Sequence, residues 1–123
     1  MHALEPLRGL RVVADPVAID AARWHGSDVT VLRFAPDDAF GIDAEGVEVD
    51  DADAIIESEV GFSGAGIAIG DVVDHIEWSL PDAPALAQGS IAGVPAKLWL
   101  AADGGVLLVT ATAYADELVG RLR

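Results

Sequence analysis

From Val94 to Ala111 the chain reads VPAKLWLAADGGVLLVTA, two apolar runs separated by Ala-Asp-Gly-Gly. Asp-Gly and Gly-Gly steps supply the positive backbone angles that a tight turn demands, so the runs are expected to be adjacent antiparallel strands. The segment that follows, YADELVGRLR, reads as a helix. It places Tyr114, Leu118, Val119 and Leu122 on one face, with Asp116 and Glu117 in the first turn and Arg121 and Arg123 in the last. That charge order matches the helix dipole. A hairpin closed by a helix points to α+β architecture, and the rest of the chain fits it.

Upstream, DVTVLRFA is rich in β-branched residues and stops at Pro36, PDDAFGI reads as a turn into a second strand, and GVEVD as a third. DPVAIDAARWHG carries helix punctuation: Asp15 as cap, Pro16 in the first turn and Gly26 as stop, with Val17, Ala21 and Trp24 on one face. The acidic run from Asp50 to Glu59 holds Ala52, Ile55 and Ile56 and is read as a helix of one or two turns. GAGIAIG reads as a glycine-rich strand and DVVDHIEW as a short helix capped by Asp71. SLPDAPALAQGS, with two prolines, is the longest expected loop. Strands and helices do not alternate strictly, which favours mostly antiparallel pairing in a single compact domain over residues 1–123, with short helices and a C-terminal helix.

Composition narrows the class. The 123 residues are 52% hydrophobic, and 21 acidic against 7 basic residues give a formal charge of −14. Such a field repels phosphate backbones and anionic lipid, which argues against nucleic acid and membrane surfaces and favours a basic protein partner or a cationic ligand. No apolar run approaches the roughly 20 residues of a membrane span. Glu5 and Pro6 interrupt the first residues before a signal-peptide core can form, so a cytoplasmic protein is expected. There is no cysteine, hence no disulfide and no thiolate chemistry, and Lys97 is the sole lysine.

The stretch EVGFSGAGIAIGD, Glu59 to Asp71, has the look of an active site and fails each test for one. A phosphate loop needs a lysine after its glycines, and the stretch has none. Gly64, Gly66 and Gly70 are spaced G-x-G-x-x-x-G, not the dinucleotide-binding spacing. In GFSGA, Ser63 stands where a nucleophile elbow would put its serine, but Ala65 replaces the second glycine and no spacing assigns His2, His25 or His75 as its base. The glycines instead fit a strand against which something packs closely. Counted from Asp43, the acidic run has Glu48 at the sixth position and Ala54 at the twelfth, where a calcium loop needs glycine and glutamate. No catalytic residue, metal site or cofactor is assigned. Packing is the first reading of Trp24, Trp78 and Trp99; Trp78, Trp99 and, in the Pro81–Gln88 loop, Pro81 and Gln88 are the candidate contacts for a partner or ligand.

The segment LAQGSIAGVPAKLWLAADGGVLLVTATAYADELVGRL resembles the C-terminal part of the gamma subunit of heterotetrameric sarcosine oxidase, itself similar to the folate-binding domain of the aminomethyltransferases. VTVLRFAPDDAFGI resembles the earlier strand-turn-strand of the same family. Together they cover less than half of the chain. The resemblance implies an α+β domain acting as a non-catalytic subunit, through a protein partner or as a homo-oligomer. Its alternative is a domain binding folate or a small amine without catalysis. The aminomethyltransferases carry an acidic pterin contact on the strand before the last helix. Here that strand has no carboxylate between Gly105 and Tyr114, so no folate contact carries over at that strand.

Overall fold

The computed structural model describes residues 2–123. In chain order they form β1 (Glu5–Pro6), β2 (Gly9–Val13), α1 (Pro16–Asp20), β3 (Arg23–His25), β4 (Thr30–Ala35), β5 (Asp38–Ile42), β6 (Gly46–Glu48), β7 (Ile55–Glu59), β8 (Phe62–Ile67), β9 (Ala85–Ile91), β10 (Val94–Leu100), β11 (Val106–Ala111) and α2 (Ala115–Leu122). Three 3₁₀ turns, Ile69–Asp71, Val73–His75 and Thr112–Tyr114, complete the set. Every strand pair is antiparallel, and the class is α+β. Two compact units divide the chain: Leu7–Val60, and Gly61–Arg123 together with the segment before Leu7.

The Gly61–Arg123 unit is built on a five-stranded sheet of order β1-β8-β11-β10-β9. The expected hairpin is β10 and β11, in register Leu98 with Leu108. Alternation then decides the faces: Val94, Ala96, Leu98 and Leu100 are buried, together with Ala87, Ile91, Leu108 and Leu118. Ala92 and Gly93, both at positive φ, make the two-residue turn between β9 and β10, the conformation that matches strand twist. The α2 helix lies where the sequence places it and buries Ala115, Leu118 and Val119. Arg121 donates to Ala92 O at 2.9 Å, which ties the last helical turn to that hairpin.

The Leu7–Val60 unit holds a four-stranded sheet, β4-β5-β2-β7, and the two-stranded β3-β6. Val12, Ile19 and Ala39 form its buried cluster, with Trp24, Val31, Val47 and Val49 packed on it. β4 and β5 join through Pro36-Asp37, as the sequence indicated, and the register slips between Arg33 and Ala35 so that Phe34 is the bulged residue.

Several expectations need correction. Asp50–Glu59 is not a helix: Asp51 accepts from the Asp53 N–H at 2.9 Å, an Asx-type turn that competes with helix formation. The β-branched pair Ile55-Ile56 then opens strand β7 against β2. The helix beginning at Asp15 is shorter than its punctuation implied. Asp15 does cap it, accepting from Val17 N–H at 3.0 Å, but it ends at Asp20. Trp24 lies instead on β3, where its indole packs directly on the backbone of Gly41; no side chain other than hydrogen fits there. DVVDHIEW is not a helix: it holds the end of the Ile69–Asp71 turn and the Val73–His75 turn, with Val72 buried, Ile76 and Trp78 partly buried and Val73 exposed. The proline loop is shorter than expected, since Ala85 to Ile91 pair with β10 and place Gln88 on a strand. GAGIAIG is a strand to Ile67, yet a Cβ at Gly66 or Gly70 would meet nothing within 4 Å, so close packing does not explain those two glycines.

Candidate functional site

Among the described residues strand β7 pairs with β2 and ends the order of its sheet. Cross-strand partners in an antiparallel pair share a face. Ile55, Glu57 and Glu59 therefore point to one side with Val13, Arg11 and Gly9, while Ile56 and Ser58 point to the other with Val12 and Leu10. The isoleucines are 55% and 44% accessible, Val13 is 38% and Val60 is 66%. Single exposed apolar residues are ordinary on a protein surface, but Ile55, Ile56 and Val13 together at one end of an outer strand, with Val60 beyond its other end, are more than that.

Both ends of this edge are fastened. At the C-terminal end Arg11 reaches across its face and donates to both oxygens of Asp38, at 2.5 and 2.8 Å, and to Glu59 Oε1 at 2.8 Å. Its guanidinium also lies 4.7 Å from the centroid of the bulged Phe34 ring. The hydrogen bonds to Asp38, and then to Glu59, raise the Arg11 pKa above its ordinary value against the opposing effect of burial. At the N-terminal end Asp51 accepts from the backbone N–H groups of Asp15, at 2.8 Å, and Asp53. Those two bonds hold its carboxyl below the usual aspartate range. The strand entering between these anchors is thus presented as a preformed edge.

Of the four residues singled out from the sequence, two share a sheet face and the others do not join them on it. Gln88 and Trp99 lie on one face of the β9-β10 ribbon, in pairs with Lys97 and Leu86. Trp78 lies on the opposite face, against the backbone of Gly89, where a Cβ would fall 2.7 Å from the indole nitrogen. Its indole N–H donates to Ser90 O at 3.0 Å. Trp78 is thereby a packing residue of the apolar cluster. Pro81 is exposed in the loop before β9. Gln88 lines an open concavity of about 450 Å³ together with Phe62, Ser90, Lys97, Thr110 and Tyr114. Gln88 Oε1 accepts from Lys97 Nζ at 2.7 Å. Sequence reasoning missed Phe62, Lys97 and Tyr114 here. Their common signal is only that each sits on or beside an element of the C-terminal hairpin, which register alone reveals.

Ser63 is the second residue of β8, 2% exposed, with its hydroxyl 2.9 Å from Thr112 Oγ1. A serine there is a sheet residue rather than one displayed on a strand-to-helix turn. His25 bonds Glu48 at 2.8 Å on the exposed β3-β6 ribbon, and that bond, with Arg23, lowers the Glu48 pKa. No group of three or more His, Asp or Glu side chains is arranged to hold a metal among the described residues. No helix among them is long and apolar enough to cross a membrane. No family model, no curated protein and no solved structure matches the chain.

Proposed function

We propose that the chain is a small non-catalytic accessory protein of the cytoplasm, akin to the gamma subunit of sarcosine oxidase, that acts through protein–protein association. The observation that carries this reading is the edge strand β7, with Ile55, Ile56, Val13 and Val60 open to solvent around it. Covering four such half-exposed side chains contributes about 1 kcal/mol each. Exposed edges of this kind are costly to keep, because they template unwanted pairing, and a partner that occupies the edge removes that hazard. The test is affinity purification from the native host with the wild-type chain and an Ile55→Asp, Ile56→Asp variant, alongside light scattering of both. A partner or self-assembly retained by the wild type and lost by the variant supports the reading. A wild type that is strictly monomeric and co-purifies with nothing contradicts it.

A second reading, binding of a small ligand such as a folate or an amine, draws on the concavity beside Gln88. Its volume lies within the range of ligand sites, and Phe62 and Tyr114 give it aromatic walls. A thermal-shift screen decides it, since a ligand at a hundred times its dissociation constant adds about 2.7 kcal/mol of stability. Folates and small amines that shift nothing retire this reading.

A further inference from the structure

The sequence around β7 also specifies what kind of strand belongs on it. Between residues 50 and 59 the chain carries Asp50, Asp51, Asp53, Glu57 and Glu59, and no basic residue. Two of these are engaged within the fold: Asp51 by backbone N–H groups and Glu59 by Arg11. Asp50, Asp53 and Glu57 are exposed along or just before the edge. A strand laid on β7 therefore meets two different rows. On one face it meets Ile55, then Glu57, then Glu59; on the other it meets Ile56, then Ser58.

Those rows discriminate among occupants. A second copy of this chain fits less well: it presents the same acidic strand, and in a two-fold pairing centred on Glu57 that residue stands opposite itself, where like charges destabilise a ladder. Each copy also adds a formal charge of −14. A lysine or arginine on the incoming strand suits the first row, because its methylene stem covers Ile55 while its charged end reaches Glu57 from the side away from Arg11. A β-branched residue on the alternate positions covers Ile56. The acidic field of the whole chain draws such a segment in and raises its rate of encounter.

Accordingly, we propose that β7 is the docking edge for an extended segment of a partner protein in which basic and β-branched residues alternate, added as a further antiparallel or parallel strand to the β4-β5-β2-β7 sheet. This rests on the association reading above and narrows it to one mode and one partner chemistry. Main-chain bonds to the open side of β7 supply affinity, and the alternation supplies register. The interface is small, so binding is reversible and weakens as salt rises.

The test titrates the full chain into a fluorescent peptide alternating valine with lysine, and follows anisotropy. Three comparison peptides separate the contributions: valine alternating with glutamate, the valine–lysine peptide with its residues shuffled out of alternation, and the valine–lysine peptide N-methylated on every amide so that neither edge can donate. Saturable binding of the alternating valine–lysine peptide is expected, with all three comparisons about tenfold weaker or worse. The exposed Glu57→Gln variant, which removes the charge without setting a second cation opposite Arg11, is expected to lose about tenfold as well. Equal binding of the shuffled or N-methylated peptide overturns the proposal, because it reduces the interaction to charge alone. Equal binding by Glu57→Gln overturns it too. If no peptide binds while Ile55→Asp, Ile56→Asp still abolishes association in the purification experiment, the docking mode proposed here is wrong and the association reading stands. If the variant changes nothing there either, both fall.

Discussion

Val13 and Ile55 stand opposite each other on β2 and β7, and both are open to solvent, at 38% and 55%. A pair of this kind contributes little to the stability of the isolated chain. Ile55→Ala is expected to change unfolding free energy by about 0.5 kcal/mol or less, as surface substitutions usually do. The same change is expected to weaken any assembly formed through β7. Urea denaturation and binding measured on one preparation check the split. A large loss of stability with unchanged association shows instead that Ile55 belongs to the core.

Gly89 faces the indole of Trp78 so closely that a methyl group there would lie 2.7 Å from its nitrogen. Gly89→Ala is expected to cost about 1–3 kcal/mol, the usual penalty of overpacking a filled site. It also displaces the indole from the Ser90 carbonyl, so tryptophan fluorescence shifts together with the urea midpoint. An unchanged midpoint contradicts the packing role assigned to Trp78.

Arg11 bridges Asp38 and Glu59 through the hydrogen bonds that fasten the end of β7. Arg11→Met keeps the apolar stem and removes the charge-assisted bonds, at an expected cost of about 2 kcal/mol. All three side chains are partly solvated, so the loss stays below that of a fully buried pair. Hydrogen exchange in β7 is expected to rise with it.

Glu48 and Asp51 both have carboxyl pKa values lowered in the folded chain, Glu48 by His25 and then Arg23, Asp51 by two backbone N–H groups. The unfolded chain takes up protons first as pH falls, so their contribution is complete above the ordinary carboxylate value and is lost as pH drops through the folded one. Self-repulsion of a chain this acidic eases over the same interval and acts in the opposite direction. The difference between wild type and Asp51→Ala isolates the local effect. That difference is expected to favour the wild type near neutrality and to shrink as pH falls through and below the ordinary aspartate range. A difference independent of pH removes the charge from the account.

What was legible in the sequence was local. The Asp-Gly-Gly turn, the Pro36 stop and the charge order of the last helix each carry their conformation in a few residues, and each lies where it was read. The residues misread are those whose partners are remote in sequence. Ile55 and Ile56 fit a helical face as well as a strand until β2, some forty residues earlier, takes them as its neighbour. Trp24 completes a helical face on paper, yet the bare backbone of Gly41 takes its ring. The open edge was illegible for the same reason, since which strand ends a sheet is a property of topology and not of any segment. Gln88 was singled out for the right neighbourhood but as a loop residue; pairing with Lys97 makes it part of a sheet face.

The most direct measurement is amide hydrogen exchange of the chain alone and saturated with the alternating valine–lysine peptide. The account predicts protection gained over Ile55–Glu59, where half of the backbone groups point away from β2, with little change in β9, β10 and β11. Protection gained around the Gln88 concavity while Ile55–Glu59 exchanges as before would contradict it.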